Sequence, residues 1–255
     1  MIKYKKNGFT LAEVLITLGI IGVVAALTIP TLVKNYQKTQ YVTGLKKAYT
    51  TFNQALKQMS IENNCVDDLK CTGIFATGTS NPHNVLGTAL VKYFNVAKDC
   101  KTGTDQGCMP ATSNYSYDGS GTSDTTLDST GAYKFITIDG TAYWITNSAN
   151  DCDTPSYSTG RTGNVAQTCG QVIIDVNGLK PPNFEGRDIF RFFITNGKGA
   201  ILYPWSGADD NYNWGSPADA WWKNSSGVIT GCYSGSKGGW RCTGRVIEDG
   251  WQMNY

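Results

Sequence analysis

A single carboxylate lies within a segment that is otherwise apolar. Residues 9–33 contain one charged side chain, that of Glu13. A carboxylate inside a bilayer costs roughly 2.5–3.5 kcal/mol on insertion scales, and such residues usually have a function and a charged partner. The segment has no cation at the same depth. A free amine on Phe9, exposed by cleavage after Gly8, would supply the missing positive charge.

Eight cysteines are the second group of reactive side chains. None forms a Cys-x-x-Cys pair, and the spacings typical of zinc sites are missing. An even number of widely spread cysteines predicts disulfides in an oxidising compartment, with buried free thiols as the alternative. Eight cysteines allow 105 pairings, and sequential pairing is the simplest. It would join Cys65 to Cys71, Cys100 to Cys108, Cys152 to Cys169, and Cys232 to Cys242.

The densest group of oxygen-bearing side chains lies between residues 175 and 188. It consists of Asp175, Asn177, Asn183, Glu185 and Asp188, with Gly178 and Gly186 between them. Alternating Asp and Asn before a glycine can present oxygens to Ca²⁺, although the full spacing of an EF-hand is absent. A turn held by Asx hydrogen bonds is the alternative. Asp175, Asn177 and Asp188 are therefore candidate ligands of a structural calcium ion, and no other cofactor is expected.

The sequence offers little that would support catalysis. It has one histidine, His83, in a Ser-Asn-Pro-His-Asn stretch that predicts a solvated loop. We find no nucleophile–base pair, Gly-rich phosphate loop or enzyme-like metal spacing in the sequence. The formal net charge is +2 without a long basic run, so no nucleic-acid partner is expected. These observations favour a protein that is not an enzyme.

Six tryptophans are concentrated near the C-terminus. They are Trp205, Trp214, Trp221, Trp222, Trp240 and Trp251. Exposed rings could stack on sugars or on a partner surface. A small core stapled by disulfides would use the same rings where aliphatic residues are scarce. Both interpretations remain open at the level of the sequence.

The elements that carry Glu13 are a basic leader and a membrane-spanning helix. Lys3, Lys5 and Lys6 precede the apolar segment, so the N-terminus should stay cytoplasmic and the head should lie outside. Residues 9–27 alone would form roughly 29 Å of helix, close to the thickness of the bilayer core. The apolar region of an ordinary secretory signal is shorter. We therefore predict one retained span in the inner membrane.

Residues 8–15, Gly-Phe-Thr-Leu-Ala-Glu-Val-Leu, resemble the processing motif of type IV prepilins and type II secretion pseudopilins. The resemblance implies that prepilin peptidase cuts after Gly8 and methylates the amine of Phe9. It also implies that Glu13 directs assembly by pairing with the N-terminal amine of a neighbouring subunit. Pro30 falls where the family carries a helix-bending proline. Ala12 departs from the larger aliphatic residue of many members.

The resemblance implies a structural subunit, major or minor, of a type IV pilus or a type II secretion pseudopilus. Its partners would be prepilin peptidase, other pilin or pseudopilin subunits and the inner membrane. Some pseudopilins bind calcium in a loop between strands, in line with the candidate ligands above. One alternative is a filament-borne binding module, an adhesin or DNA-uptake tip that uses the Trp-rich head. Another is a secreted or anchored enzyme with a pilin-like export signal.

The predicted organisation has four parts. Residues 1–8 form the leader, 9–33 the transmembrane and assembly helix, 34–60 an amphipathic continuation, and 61–255 the head. The continuation places apolar residues at spacings of three and four. They are Tyr41, Leu45, Ala48, Tyr49, Phe52, Ala55, Leu56 and Met59. Such a stripe can cover one face of a sheet.

The head is predicted to contain an antiparallel sheet at about 133–203, which makes the fold class α+β. Apolar runs at 133–138, 141–146, 171–176, 189–195 and 200–203 predict strands. Asp139-Gly140 predicts the first hairpin turn. A short helix is expected at 86–94 and a long surface loop at 111–131. Residues 204–255 form a Cys- and Trp-rich region.

Overall fold

The computed structural model describes residues 8–104, 106–114, 116–119, 124–153, 163–196, 201–205, 232–233 and 238–255. The chain divides into two compact units, Met1–Gln40 and Tyr41–Tyr255. The fold class is α+β: a long N-terminal apolar helix, a six-stranded antiparallel sheet against which its later turns pack, and disulfides. This architecture is consistent with a pilin-like fold, as predicted.

Helix α1 spans Leu11–Glu62. As far as Val33 it consists mostly of Leu, Ile, Val, Ala and Thr, and its large apolar side chains are exposed. Pro30 lies inside the helix, which continues beyond that residue to Glu62. Proline lacks an amide hydrogen and removes one helical bond. The bend expected at Pro30 stays a prediction.

In the second unit, α1 becomes amphipathic and packs on the sheet. Its buried residues are Val42, Leu45, Ala48, Phe52, Ala55, Leu56, Met59 and Ser60. The helix ends because Asn64 adopts the left-handed conformation, with a φ of 58°. The amide of Cys65 then donates to the carbonyl of Ser60 and the amide of Asn64 to that of Ile61. These two bonds form a Schellman motif, which satisfies the last carbonyls of the helix.

The main sheet has six antiparallel strands in the order β1-β4-β5-β6-β7-β8. Its strands are β1 (Val96–Lys101), β4 (Tyr133–Thr137), β5 (Ala142–Asn147), β6 (Thr168–Asp175), β7 (Ile189–Thr195) and β8 (Ile201–Pro204). Strands β4 to β8 follow one another as a meander. Gly140, with a φ of 87°, closes the β4–β5 hairpin, a conformation that glycine adopts at no steric cost.

Both faces of the sheet are covered around β6, all of whose residues are buried. Val172 and Ile174 belong to the core that includes the buried face of α1. Ile173 points to the other face and packs with Met109 and Leu127. Successive strand residues point to opposite faces. The consecutive apolar residues of β6 therefore require cover on both sides, and Met109 and Leu127 supply part of the second.

Two further helices close the core. Helix α2 (Pro82–Val91) contributes Leu86 and Leu90. A Cβ at Gly87 would lie 1.9 Å from the ring of Tyr133, so glycine is required for this close approach. Helix α3 (Cys242–Glu248) contributes Val246 to the same core.

Several sequence expectations for the head were wrong. Two short strands, β2 (Thr112–Asn114) and β3 (Asp124–Thr126), pair within the predicted 111–131 loop. The short helix starts at Pro82, whose fixed φ suits a first turn, and not at residue 86. His83 therefore lies in α2, where its Nδ1 accepts the amide hydrogen of Asn147. Burial lowers the pKa of His83. It is not a solvated loop residue.

Candidate functional site

The residues predicted to be processed precede α1. Gly8, Phe9 and Thr10 have no regular secondary structure, and the Phe9 side chain is 89% exposed. Beyond the adjacent residues, no described atom lies within 4 Å of a Cβ built on Gly8. Among the described residues, nothing therefore covers the peptide bond between Gly8 and Phe9. The leader residues 1–7 lie outside the described part of the chain.

Thr10 and Glu13 form a capping box at the start of α1. The Glu13 carboxylate oxygen Oε2 accepts the Thr10 amide and the Thr10 hydroxyl, both at 2.8 Å. The Glu13 amide donates to the Thr10 hydroxyl at 3.3 Å. This reciprocal arrangement satisfies amide groups that the first helical turn leaves unpaired. Our sequence analysis missed it, although Thr-x-x-Glu before an apolar run is its recognised signal.

The capping box uses only one of the two carboxylate oxygens of Glu13. Oε2 makes both bonds to Thr10, and among the described residues no donor reaches Oε1. Oε1 is therefore the carboxylate oxygen that can accept a further donor, such as a protonated amine.

The apolar surface behind Glu13 has the size of a bilayer span. By length and composition, helix α1 could cross a membrane. Its apolar stretch of 18 residues is 0% buried. Its exposed side chains include Leu11, Leu15, Ile16, Leu18, Ile20, Ile21, Val23, Leu27 and Leu32. Large exposed apolar surfaces mark contacts with a membrane or a protein.

One comparison with known proteins gives a match. The family model described as the prokaryotic N-terminal methylation motif matches residues 3–29. This is the prepilin-type cleavage and methylation motif of pilins and pseudopilins, so the predicted resemblance is confirmed. No curated protein and no solved structure matches the chain.

The matched motif supports a type IV pilin-like or pseudopilin-like protein. It implies a structural subunit, processing by prepilin peptidase and assembly with other pilins. The exposed apolar helix is consistent with a membrane-anchored pilin.

The predicted calcium ligands lie at the end of β6 and in the loop to β7. Asp175 is fully buried, and its Oδ1 accepts the amide of Asn177 at 3.2 Å. Asp188 is fully buried as well, but its two oxygens accept the amides of Phe184 and Asn183 at 2.7 and 2.9 Å. Asx-type bonds therefore do occur here, as the alternative interpretation expected.

The two carboxylates influence each other. Burial and then the nearby charge of Asp188 raise the pKa of Asp175 well above its usual value. Burial raises the pKa of Asp188, against the amides of Phe184 and Asn183, which lower it. Two buried acids that form no ion pair with the described residues favour a proton or a bound cation at the site.

The cysteines form four disulfides in the structure. They join Cys65 to Cys71, Cys100 to Cys108, Cys152 to Cys169, and Cys232 to Cys242. The Cα–Cα distances run from 4.2 to 6.2 Å. These are the pairs of the simplest sequential pairing, and no cysteine is left free.

Three of the six C-terminal tryptophans can be placed. Trp205 stacks on Phe193 with ring centroids 4.4 Å apart, and Trp240 meets Trp205 edge-on at 6.4 Å. Trp251 packs edge-on against Tyr49 at 5.2 Å. All three rings are partly buried. Trp214, Trp221 and Trp222 lie outside the described residues.

Proposed function

We propose that the chain is a structural subunit of a type IV pilus or a type II secretion pseudopilus. Prepilin peptidase removes residues 1–8 and methylates the new amine on Phe9. The processed subunit then leaves the inner membrane for a helical filament. The observation that carries this proposal is the matched motif at residues 3–29 at the start of an exposed apolar helix.

Glu13 would act as the assembly carboxylate. In the subunit alone, Thr10 supplies two hydrogen bonds to Oε2, which offset part of the cost of a charge near hydrocarbon. The amine of a neighbour's Phe9 would bring a full positive charge to the same carboxylate. A charge-assisted bond is about twice as strong as a neutral one. Assembly would therefore satisfy both groups better than the membrane does.

The leader and the disulfides support the proposed orientation. Three lysines precede the apolar segment, and positive charges stay on the cytoplasmic side. The four disulfides lie after it, and disulfides persist in oxidising compartments. The subunit would therefore span the inner membrane once, with its head outside the cytoplasm.

Processing is tested by intact mass and N-terminal sequencing of protein extracted from membranes of cells with and without prepilin peptidase. We expect a start at N-methylated Phe9 only when the peptidase is present. Gly8→Val should block the cut, whereas Gly19→Val, a matched change inside the helix, should be cut normally. An intact Met1 in the presence of the peptidase, or a cut near residues 25–26, would contradict the proposal.

Assembly is tested with Glu13→Val against Thr17→Val, one helical turn further on. Both proteins should lose residues 1–8. Only the Glu13 variant should fail to enter filaments, by more than about tenfold, because truncating one partner of a buried charge pair costs about 2–5 kcal/mol. Site-specific cross-linking of sheared filaments gives the readout. Equal incorporation of both variants would exclude Glu13 from assembly.

A further inference from the structure

Two turns, residues 138–141 and 176–180, lie side by side at one end of the main sheet. The first joins β4 to β5 and the second follows β6, and β5 and β6 are paired along the whole length of β5. The turns touch each other, because a Cβ on Gly178 would lie 2.6 Å from the carbonyl oxygen of Gly140. They therefore form one continuous surface at this end of the sheet.

Each of these turns exposes one large apolar side chain. Ile138 is 71% exposed, the highest value among the large apolar side chains described from Tyr41 onward, and Leu179 is 46% exposed. Turns are usually built from Gly, Pro, Asn, Asp and Ser. A single exposed apolar residue is ordinary, but here two residues that are distant in sequence reach the same surface. Their position favours contact with an apolar partner.

A lysine of the edge strand β1 lies beside both apolar side chains. Lys98 faces Ile136 in the pairing of β1 with β4, and Ile138 follows two residues later, on the same side of the chain. The Nζ of Lys98 and the Cδ1 of Leu179 both lie next to Gly107, at 3.6 and 3.8 Å from a Cβ built there. Lys98 therefore belongs to the surface that the two turns form.

This surface carries an excess of positive charge. Lys98 and Lys180 are both exposed, and within the described ranges neither forms an ion pair. The ammonium of Lys98 donates to the carbonyl of Gln106, which is neutral. The acid in the first turn, Asp139, is already paired with Lys47 at 2.7 Å. Two lysine charges therefore remain to attract an anionic partner.

The two turns lie at the end of the sheet where α1 begins to pack. A Cβ on Gly44 of α1 would lie 3.4 Å from Cβ of Val176, the first residue of the second turn. Tyr41 follows Val33, the last residue of the continuous apolar stretch, by only eight positions. Eight residues span at most about 29 Å, even when fully extended. The surface of a bilayer that holds the apolar stretch is therefore within reach of this end of the sheet.

We propose that Ile138, Leu179, Lys98 and Lys180, here called the turn patch, dock the head on the anionic surface of the membrane that anchors it. Apolar side chains flanked by lysines suit the boundary between headgroups and acyl chains. Each lysine near an anionic surface contributes about fivefold in affinity, or ~1 kcal/mol. Weak binding is sufficient, because the anchor makes the contact intramolecular. The inference rests on the membrane anchoring proposed above, but not on cleavage or filament assembly.

Docking is tested by NMR of the full-length protein, labelled at the δ1 methyl groups of isoleucine, with one copy in each lipid nanodisc. The discs contain phosphatidylglycerol or phosphatidylcholine, with a trace of a gadolinium-chelating lipid. The methyl signal of Ile138 should broaden strongly in the anionic discs and much less in the others. Ile61 is a matched control, because it is 52% exposed and lies about 30 Å beyond Tyr41 along α1. Its signal should stay sharp in both.

Two variants and their controls identify the residues that make the contact. Lys180→Gln should lower the ratio of docked to undocked heads about fivefold. Leu179→Asn should lower it about as much, because the exposed half of a leucine no longer enters the lipid. Lys57→Gln and Val66→Asn make comparable changes at exposed residues elsewhere and should leave the broadening of Ile138 unchanged. All four proteins should unfold at the same temperature, since each change is on the surface.

Three results would overturn the proposal. Equal broadening of Ile138 and Ile61, or of Ile138 in the two lipids, would mean that the turn patch does not recognise an anionic surface. Protection of Ile138 only in discs that hold two proteins would make the patch a contact between copies. A protein that is not retained in the discs at all would contradict the proposed anchoring as well. Retention without broadening of Ile138 would leave the anchoring intact and exclude docking alone.

Discussion

The two parts of α1 present the same type of backbone to different surroundings. Up to Gln40 its apolar side chains are exposed, and Leu18 and Ile21 are 60% and 63% accessible. From Tyr41 onward only one face is apolar, and Leu45, Phe52 and Leu56 are fully buried against the sheet. The continuous apolar stretch ends at Val33, and the striped part lies in the second unit.

This difference shows how one helix can serve two purposes. A helix that is apolar all round belongs in a membrane or a large core, whereas a striped helix belongs on the surface of a folded domain. Polar side chains have opposite meanings in the two parts. Glu13 is an anomaly that calls for a partner, while Lys47 is an ordinary surface residue that pairs with Asp139 at 2.7 Å.

The largest contrast should come from truncating an apolar side chain in each part. Phe52→Ala removes a fully buried ring and should lower the free energy of unfolding by about 3–5 kcal/mol. Leu18→Ala, on the exposed part, should leave the unfolding of the head unchanged. Chemical denaturation of both proteins in detergent measures the difference. Equal effects would mean that the boundary in α1 has no energetic meaning.

A charged substitution should have its larger effect in the exposed apolar part of α1. Ile21→Asp places a carboxylate in the middle of the apolar part and should cost about 2.5–3.5 kcal/mol on membrane insertion. Thr50→Asp places the same charge on the exposed face of the striped part and should have no effect on insertion. The fraction of protein that resists alkaline extraction from membranes reports the result. Unchanged integration of Ile21→Asp would argue against a bilayer span.

The capping box gives a smaller effect that is confined to the first turn. Thr10→Ala removes the hydroxyl that the Glu13 amide and carboxylate share and should destabilise the helix start by about 0.5–2 kcal/mol. Amide hydrogen exchange in micelles should rise at the first residues of α1 and stay unchanged beyond Tyr41. Thr10→Ser should restore protection, because serine can form the same bonds. Failure of serine to rescue would assign the effect to the lost methyl group.

The smallest effect is expected at the ion pair between Lys47 and Asp139. Burial tends to raise the pKa of Asp139, but the bonds to Lys47, Thr137 and Thr141 lower it to about 2. The bonds to the ionised form therefore stabilise the fold above about pH 4, and this contribution is lost as the pH falls through about 2. Asp139→Asn should cost at most about 1 kcal/mol near neutral pH, because the pair is partly exposed. Urea unfolding at several pH values should show the difference disappear in acid.

The parts of the fold with a strong periodic signal could be predicted. The stripe of α1 and strands β4 to β8 were found within a few residues of their bounds, because each buries apolar residues at a regular spacing. Strand β1 escaped because most of its side chains are exposed, so it lacks the alternation of a half-buried strand. Strands β2 and β3 are three residues long and consist of Ser, Thr, Asn and Asp. Their pairing depends on distant contacts.

The candidate sites differ in the same way. The matched motif is local, so Gly8, Phe9 and Glu13 could be proposed as the processing and assembly residues from a few neighbouring positions. In the acidic loop, the sequence singled out Asp175, Asn177 and Asp188 as candidate calcium ligands but could not tell which of their oxygens are already hydrogen-bonded. That distinction depends on which oxygens accept backbone amides, as Asp188 does from Asn183 and Phe184.

Each disulfide joins cysteines that are only 6, 8, 10 or 17 residues apart. None ties an early segment to a late one. In the proposed orientation, with the head outside the cytoplasm, each pair can meet an oxidant as soon as its own short stretch has crossed the membrane. A wrong partner would have to come from a segment that is either already paired or still on the other side of the membrane. Because the paired cysteines are close in sequence, translocation from the N-terminus onward would favour these four pairs over other pairings.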